Sequence, residues 1–292
     1  MEKLPESINY HITEKCNYRC KFCFARYKNH NKELSLNESL KLIRILAENG
    51  CKKINFAGGE PTLINHLPEL ITYSKKLGLF VSIISNGTGI NRKFMEKCSG
   101  KLDLIGLSID SLNNNIEAKL GRTLKINSKN YSHVNVIKQK IALIKEFGIA
   151  IKINSVVNPL NWDKNLSEFI QYINPIRWKV FEVHYIMGIN DSFFTEFANL
   201  KSWQFKLFIE THKQLNPVYE SSKMILDSYC MITPDGRFYQ DTNHQHHYSQ
   251  PILDIGIIEA FQQITYLESK YLERNGGYFK SLNPKTSNLI LD

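Results

Sequence analysis

The stretch CNYRCKFC, residues 16–23, places three of the chain's six cysteines within eight positions. Cys16, Cys20 and Cys23 are separated by three residues and then by two. Six cysteines in 292 residues do not suggest a disulfide scaffold, and clustered cysteines in a reducing compartment more often bind a metal. A structural zinc site or a fully ligated iron–sulfur cluster needs a fourth donor, which this stretch lacks. The spacing therefore indicates a metal centre held by only three thiolates.

The overall composition is that of a folded, basic protein. With 42% hydrophobic residues, the chain can bury a large core in one α/β domain with an extension, or in two domains. Its longest apolar runs, about six residues, are too short to cross a bilayer. The first residues show no secretory signal, so we expect a cytoplasmic protein without a membrane anchor. The net charge of +9 favours an anionic partner, either nucleic acid or a phosphorylated metabolite.

Apolar segments with strand-like and helix-like spacing alternate up to about residue 190. Helical spacing predicts helices over 36–47, which opens with a capping box, and over 134–147. Alternation of this kind predicts a parallel sheet, open or curled into a partial barrel, with its chemistry at the carboxyl ends of the strands. Short segments rich in Ile, Val and Phe predict the strands 52–59, 79–87, 102–110, 149–158 and 177–186.

The remainder of the chain has a different pattern. The segment KMILDSYCMITPDGRFY, residues 223–239, predicts a β-hairpin that turns at residues 234–236. The stretch HQHH (244–247) is interpreted as a solvated loop rather than a metal site. We therefore expect three parts: a tail over 1–8, a barrel over 9–190, and a C-terminal extension over 191–292 that contains the hairpin and closes the site.

The cysteine motif resembles the signature of the radical S-adenosylmethionine superfamily. There, C-x3-C-x2-C with an aromatic residue (here Phe22) before the last cysteine binds a [4Fe–4S] cluster whose fourth iron stays open for S-adenosylmethionine. The motifs GGEP, SNG and LSIDS follow three predicted strands, where relatives contact that cofactor. The resemblance implies a partial (βα)6 radical SAM barrel and a cluster on the three cysteines. The implied contacts to S-adenosylmethionine come from Gly58, Gly59, Glu60, Pro61, Asn86, Ser108 and Arg122.

Other interpretations of the cysteines stay open at this point. A zinc knuckle would also use closely spaced cysteines, although three thiolates leave it one ligand short. Cys51, Cys98 and Cys230 stand alone and are expected to be small buried hydrophobic residues.

Polar side chains occupy alternate positions in three of the predicted strands. The pairs are Lys53 with Asn55, Lys152 with Asn154, and Arg177 with Lys179. Side chains two residues apart share one face of a strand, and central parallel strands normally carry apolar residues on both faces. Four cations and two amides are costly to bury unless they meet anions. A single pair could lie at a strand end in water, but three pairs favour an interior site for several phosphates.

These pairs lie in segments that resemble the viperin family. NYHITEKCNYRCKFCF, KKINFAGGEP, KINSVVN, RWKVF, DSY and PILDIGIIEA occur in that family's order and spacing, over roughly residues 8–280. The resemblance implies that a nucleoside triphosphate (CTP, GTP or UTP) becomes its 3′-deoxy-3′,4′-didehydro analogue, a chain terminator used in antiviral defence. It also implies an external flavodoxin- or ferredoxin-like electron donor, with no stable binding of nucleic acid or membranes.

The same resemblance assigns roles to individual residues. Tyr229, in DSY, corresponds to a tyrosine that helps to quench the product radical. The implied substrate-binding residues are Asn9, Lys53, Asn55, Lys152, Asn154, Arg177 and Lys179. Base preference is not encoded in a recognisable pattern, and we expect it to come from the C-terminal region, for example NGGYFK (275–280).

The chain departs from the family's animal members in three places. Ala57 stands where they have a serine that contacts phosphate, and the sequence lacks their N-terminal amphipathic helix and C-terminal tryptophan. Two other functions remain as alternatives. One is a different radical enzyme, such as a GTP cyclase or a peptide-modifying enzyme, although such enzymes carry additional cysteines that the C-terminal part of this sequence lacks. The other is a basic, zinc-containing nucleic-acid-binding protein.

Overall fold

The computed structural model describes residues 4–27, 32–126 and 129–282, and its centre is a ten-stranded sheet. A separate two-stranded ribbon joins β5 and β6. The strands are β1 (Ser7–His11), β2 (Lys53–Ala57), β3 (Phe80–Ser85), β4 (Leu104–Ser108), β5 (Lys125–Ile126), β6 (Lys129–Asn130), β7 (Ala150–Val157), β8 (Arg177–Glu182), β9 (Val218–Glu220), β10 (Met231–Ile232), β11 (Arg237–Thr242) and β12 (Gln245–Pro251).

The large sheet is parallel except at one edge. Its strand order is β12-β11-β10-β1-β2-β3-β4-β7-β8-β9. Every pair of adjacent strands in the part of this order that runs from β10 through β1 to β9 is parallel. The strands β10, β11 and β12 pair in antiparallel fashion, which forms the C-terminal hairpin region. Six successive parallel strands, β1 to β4 with β7 and β8, therefore form the (βα)6 part of the fold.

Contacts between distant strands show that the sheet curls on itself. Lys179 on β8 donates a hydrogen bond from Nζ to the Oη atom of Tyr229, just before β10, at 2.6 Å. Lys53 on β2 and Arg177 on β8 both lie against the ring of Tyr278, at 4.4 and 4.2 Å from its centroid. In the strand order, five strands separate β10 from β8 and three separate β2 from β8. The sheet is therefore a partial barrel that the C-terminal segment closes.

Helices connect the parallel strands and cover their outer face. The two longest described helices begin at side-chain caps: Ser35 and Glu38 form a capping box for α1, and Ser132 caps α5. Within the described ranges, 3-10 helices cover Pro61–Leu63, Lys213–Leu215 and Gly276–Leu282. The α-helices are α1 (Leu36–Glu48), α2 (Leu67–Lys76), α3 (Arg92–Cys98), α4 (Asn114–Lys119), α5 (His133–Glu146), α6 (Ser167–Ile173), α7 (Asp191–Phe197), α8 (Ser202–His212), α9 (Ser222–Ile225), α10 (Ile252–Ile255), α11 (Ile257–Phe261) and α12 (Glu268–Glu273).

The main hydrophobic core lies between the sheet and these helices. Ile8, Ile54 and Val81 are cross-strand neighbours, and all three are fully buried. They belong to the same apolar cluster as Leu42 of α1 and Ile137 of α5. Burial of one such side chain stabilises the fold by about 1.5–3 kcal/mol. Because the apolar residues at these positions point outwards to the helices, the alternate positions point into the barrel.

The sequence-based predictions of the fold are largely confirmed. All five predicted strands and both predicted helices are present, and the hairpin turns at the predicted Pro234–Gly236 segment. The strand β1 was not predicted by apolar spacing. The prediction for residues 244–247 was wrong, because residues 245–247 begin β12 and His246 packs against Tyr27 and Tyr239. The three lone cysteines are buried, as expected. Among the described helices, none has the length and apolar character needed to cross a membrane.

Candidate active site

The barrel encloses a cavity of about 650 Å³. Three groups of predicted site residues line its wall: the motif cysteines, residues after the next parallel strands, and polar side chains of the barrel interior. These lining residues are Cys16, Cys20, Cys23, Gly58, Gly59, Asn86, Ser108, Arg122, Asn9, Asn55, Lys152, Asn154, Lys179 and Tyr229. Regions far apart in sequence therefore meet at one cavity.

The cysteine loop follows β1 and is held by backbone hydrogen bonds to the end of α4. The amide of Arg19 donates to the carbonyl of Gly121 at 3.1 Å, and the amide of Lys21 donates to Leu120 at 2.9 Å. Gly121 has a φ of +79°, and a Cβ there would lie 2.0 Å from the Arg19 carbonyl oxygen. Only glycine allows the two backbone segments to come this close, so Gly121 fixes the position of the cysteine loop.

Burial dominates the chemistry of the three thiols. It raises the pKa of Cys16 and of Cys23, and it raises the pKa of Cys20 to about 12. The guanidinium of Arg122 acts in the opposite direction on Cys20 and Cys23, because a nearby cation favours the thiolate. The thiols are thus protonated without a metal, and metal binding releases their protons.

The GGEP motif packs directly against the segment that leads into the cysteine loop. The amide of Gly59 donates to the carbonyl of Thr13 at 2.7 Å, and the amide of Glu60 donates to Lys15 at 2.8 Å. A Cβ at Gly58 or Gly59 would lie 2.3 Å from the carbonyl oxygen of Thr13 or Lys15, respectively. Both glycines are therefore required by close backbone packing.

The Glu60 carboxylate joins two strand ends rather than facing the cavity. It is 1% exposed and accepts hydrogen bonds from the Ser85 hydroxyl, the Asn86 amide and the Thr62 hydroxyl at 2.7, 2.7 and 2.5 Å. Burial raises its pKa, while these hydrogen bonds lower it. Glu60 and Pro61 thus fix the loops after β2 and β3, and Gly58, Gly59 and Asn86 line the cavity itself.

A buried polar network supports Arg122 and Ser108 on the far side of the loop. The Nε atom of Arg122 donates to Asp110 at 2.7 Å, and Glu117 lies 3.6 Å away. The Nε2 atom of His133 donates to the Ser108 carbonyl at 2.7 Å, which leaves its Nδ1 atom to accept from the Tyr18 hydroxyl at 3.0 Å. Burial lowers the pKa of His133 to about 3, so this bridge is neutral.

The predicted polar pairs face the barrel interior. Lys152 lies beside Arg177 in the cross-strand register, and Asn154 lies beside Lys179. On the other side, Asn55 donates to Asn9 at 2.9 Å and accepts from Ser82 at 2.8 Å. The four cations are only 4–9% exposed. The alternative that they lie in water at strand ends is therefore wrong.

These buried cations lack enough carboxylate partners among the described residues. Burial and mutual repulsion lower the pKa values of Lys53 and Lys179 well below their ordinary range, and they lower the pKa of Lys152 to about 7. Glu220 contacts Lys179 and lies 3.7 Å from the Nη1 atom of Arg274. Such a cluster of like charges is stable only with a bound anion or with some lysines deprotonated.

Tyr229 lines the cavity and contacts this cation cluster. Its hydroxyl donates to Glu220 and accepts from Lys179, and the Arg274 guanidinium lies 3.6 Å from the centroid of its ring. Burial raises the pKa of Tyr229 well above its ordinary range. The phenol therefore keeps its proton at neutral pH.

Comparison with known proteins assigns the chain to a family. The model of the radical SAM superfamily matches residues 10–173. Over 281 residues the chain is 35% identical to the S-adenosylmethionine-dependent nucleotide dehydratase of Flammeovirga pacifica, with 93% of this chain and 95% of that relative covered. The chain belongs to the S-adenosylmethionine-dependent nucleotide dehydratase family. The viperin resemblance seen in the sequence is thereby confirmed.

Other relatives of this family differ in length. The chain is 38% identical over 288 residues to the S-adenosylmethionine-dependent nucleotide dehydratase of Lacinutrix mariniflava. This match covers 95% of this chain and 59% of that relative, which is longer. Among solved structures, native anSMEcpe with bound AdoMet matches with a TM-score of 0.65 and 15% identity, over 89% of this chain and 81% of that one. Identity this low shows a shared barrel fold and nothing about the substrate.

The chain is therefore a radical SAM enzyme with a [4Fe–4S] cluster and S-adenosylmethionine as cofactors. Its residues fit them: three thiols and the two glycines of GGEP line one cavity. No three His, Cys, Asp or Glu side chains among the described residues converge on a single-ion site. A cluster does not require this convergence, because each thiolate binds a different iron.

Three residues of the site were missed by the sequence analysis. Glu220 and Arg274 lie among the predicted cations, and Tyr278 covers Lys53 and Arg177, with its hydroxyl 2.9 Å from the Lys53 Nζ atom. Tyr278 belongs to the stretch 275–280 that was expected to select the base, yet it packs on the cation cluster. All three residues come from the C-terminal extension. The side-chain alternation of the barrel strands, which predicted the cations, therefore could not predict that these three residues contact them.

Proposed function

We propose that this dehydratase converts a nucleoside triphosphate, CTP, GTP or UTP, to its 3′-deoxy-3′,4′-didehydro analogue. The observation that supports this most is the buried cation cluster on β2, β7 and β8. Two of its members, Lys152 and Lys179, line the same cavity as the cysteines, and the other two, Lys53 and Arg177, lie against Tyr278. A radical enzyme needs its substrate held at a fixed distance from the radical source. A polyphosphate is the ligand whose charge this cluster compensates.

The chain's own residues would anchor the triphosphate and position the ribose. Lys53, Lys152, Arg177 and Lys179 supply charge-assisted hydrogen bonds to phosphate oxygens, and Asn9 and Asn55 add neutral donors. Asn154 has a buried side-chain oxygen without a hydrogen-bond partner among the described residues, and a ribose hydroxyl would satisfy it. Anchoring of this kind lowers the barrier by fixing the reacting atoms in place.

The reaction requires two electrons and one proton in each turnover. When bound, the cluster and S-adenosylmethionine would supply a 5′-deoxyadenosyl radical able to take hydrogen from C4′. The substrate then loses its 3′-hydroxyl as water and takes up one electron and one proton, which gives the C3′–C4′ double bond.

Tyr229 is the proposed source of the last electron and proton. Its hydroxyl stays protonated, lines the cavity and is fixed between Lys179 and Glu220. An external flavodoxin- or ferredoxin-like donor would reduce the tyrosyl radical and deliver the other electron. We place the enzyme in the cytoplasm, where such donors and nucleoside triphosphates occur, and its chain-terminating product would serve antiviral defence. We retain residue 190 as the end of the barrel and 191–292 as the extension that closes the site, but the barrel begins with β1 at Ser7 rather than at residue 9, because Ser7 and Ile8 already pair with β2.

The test is a set of anaerobic incubations with reconstituted enzyme, dithionite and S-adenosylmethionine. Each nucleoside triphosphate and its nucleoside are added separately, and 5′-deoxyadenosine and nucleotide products are measured by mass spectrometry. We expect a triphosphate to raise 5′-deoxyadenosine formation and to lose one water, and its nucleoside to do neither. Equal 5′-deoxyadenosine formation with and without nucleotides would contradict the proposal. A GTP cyclase would instead rearrange GTP without loss of water.

A further inference from the structure

A carboxylate of the C-terminal hairpin lies on the cavity wall outside the cation cluster. Asp241 of β11 is 3% exposed and lines the cavity together with Glu182 and His184. On β8, Lys179 is followed by Glu182, which lies three residues or about 10 Å further along the strand. The cavity wall therefore has the cation Lys179 near the middle of β8, and it has Glu182 and the His184–Asp241 pair at and just after the end of this strand.

The two oxygens of Asp241 have different surroundings. Its Oδ2 atom accepts a hydrogen bond from the Nε2 atom of His184, which must be the donor because a carboxylate only accepts. The Nδ1 atom of His184 lies 2.6 Å from the Ser222 hydroxyl, and the Ser222 amide donates to Glu182 at 2.8 Å. The Oδ1 atom of Asp241 is buried and has no hydrogen-bond partner among the described residues.

We infer that the Oδ1 atom of Asp241 recognises the nucleobase by accepting a hydrogen bond from its exocyclic amino group. A buried carboxylate oxygen without a partner is costly, and a ligand that donates to it removes that cost. Carboxylates accept hydrogen bonds from the N4 amino group of cytosine in the same way elsewhere. Uracil presents a carbonyl oxygen at the equivalent position, and two acceptors repel each other. The enzyme therefore prefers triphosphates whose base carries an amino group, and CTP over UTP.

This inference rests on the proposed function and deepens it by naming the selected base type. CTP and UTP share the ribose and the triphosphate, so the cation cluster treats them alike. They differ at position 4 of the base, where cytosine has an amino group and uracil a carbonyl oxygen. A difference in binding between CTP and UTP therefore reports on the contact to Asp241. A hydrogen bond to a charged group changes affinity by about tenfold to a hundredfold.

The experiment measures binding of CTP and UTP by titration calorimetry, and their kcat/KM values, with the reconstituted enzyme. The expected result is at least a tenfold preference for CTP in both measurements. In Asp241→Asn, the amide oxygen keeps the hydrogen bond from His184, and the NH2 group replaces the free oxygen. This group donates to the O4 atom of uracil, so the preference should fall at least tenfold. The control variant Asp254→Asn, at an exposed position of α10, should keep the parent's preference for CTP over UTP.

Each outcome bears on one proposal. A parent enzyme that binds and converts UTP as well as CTP overturns the inference without any variant. A variant that keeps its cluster absorption and melting temperature but also keeps the parent's CTP preference overturns it as well. If no nucleoside triphosphate, GTP included, binds or reacts, while S-adenosylmethionine is still cleaved, the proposed function fails and takes the inference with it.

Discussion

Replacement of Lys152 by methionine should stabilise the ligand-free protein and weaken triphosphate binding. The Lys152 ammonium is buried beside Arg177, and among the described residues none accepts a hydrogen bond from it or forms an ion pair with it. Its pKa is lowered from 10.5 to about 7, mainly by burial and next by Arg177. Methionine has a similar length and keeps the packing while it removes the charge.

The magnitude follows from this pKa shift. A depression of about 3.5 units corresponds to about 5 kcal/mol. Because the folded protein lowers the pKa of Lys152, the Lys152 side chain binds its proton more tightly in the unfolded chain than in the folded one. Burial of the charged Lys152 therefore lowers the free energy of unfolding of the ligand-free protein by the full amount below pH 7. This destabilisation falls as the pH rises from 7 to 10.5 and vanishes above that range. We expect Lys152→Met to raise the free energy of unfolding at pH 6 by up to about 5 kcal/mol, and the gain to shrink as the pH rises.

The assay combines urea unfolding, followed by tryptophan fluorescence, with calorimetric binding of inorganic tripolyphosphate. Lys152→Met should bind tripolyphosphate about tenfold to a hundredfold more weakly than the parent. Lys138→Met, at an exposed position of α5, is the matched control and should change neither quantity. A Lys152→Met protein that gains no stability at pH 6 and binds tripolyphosphate as tightly as the parent would refute the assignment of an unfilled anion site.

Three further predictions concern the cluster, the loop that holds it, and the radical quench. Cys20→Ala should remove the bound iron and stop cleavage of S-adenosylmethionine, since each cysteine binds a different iron; full cleavage would exclude the cluster assignment. Gly121→Ala should lower the iron content and the melting temperature, because its Cβ would meet the Arg19 carbonyl oxygen at 2.0 Å. Gly148→Ala also has a positive φ but meets no atom within 4 Å, so it should keep its iron. Tyr229→Phe should still cleave S-adenosylmethionine but form well below one product per 5′-deoxyadenosine; an unchanged ratio by mass spectrometry would leave Tyr229 as a packing residue.

The barrel interior could be predicted because strand geometry is local. Lys152 and Asn154 share a face whatever the rest of the chain does, and so do Arg177 and Lys179. Apolar residues between them identified these segments as buried strands. Sequence alone thus placed four cations inside the barrel. The cross-strand register of β7 and β8 brings three of them together, and Lys53 of β2 joins them through the ring of Tyr278.

The rest depends on contacts between distant segments. Residues 7–11 contain too few apolar residues to predict a strand, and β1 forms because it pairs with β2 on one side and β10 on the other. The same holds for Glu220, which becomes a site residue only when β9 reaches Lys179 and Tyr229. His246 lies in a polar stretch, yet its ring is covered by Tyr27 and Tyr239 once β12 joins the sheet. Periodicity carries no information about such contacts.

Hydrogen abstraction from C4′ is the central step of this account, and isotope transfer tests it directly. The reconstituted enzyme is incubated with S-adenosylmethionine, dithionite and CTP that carries deuterium only at C4′. Mass spectrometry then reports the deuterium content of the 5′-deoxyadenosine. The account predicts one deuterium atom in each 5′-deoxyadenosine formed and a nucleotide product that has lost water and deuterium. Unlabelled 5′-deoxyadenosine beside a labelled nucleotide would show that the radical acts on a different hydrogen, and would contradict the placement of the ribose by the triphosphate site.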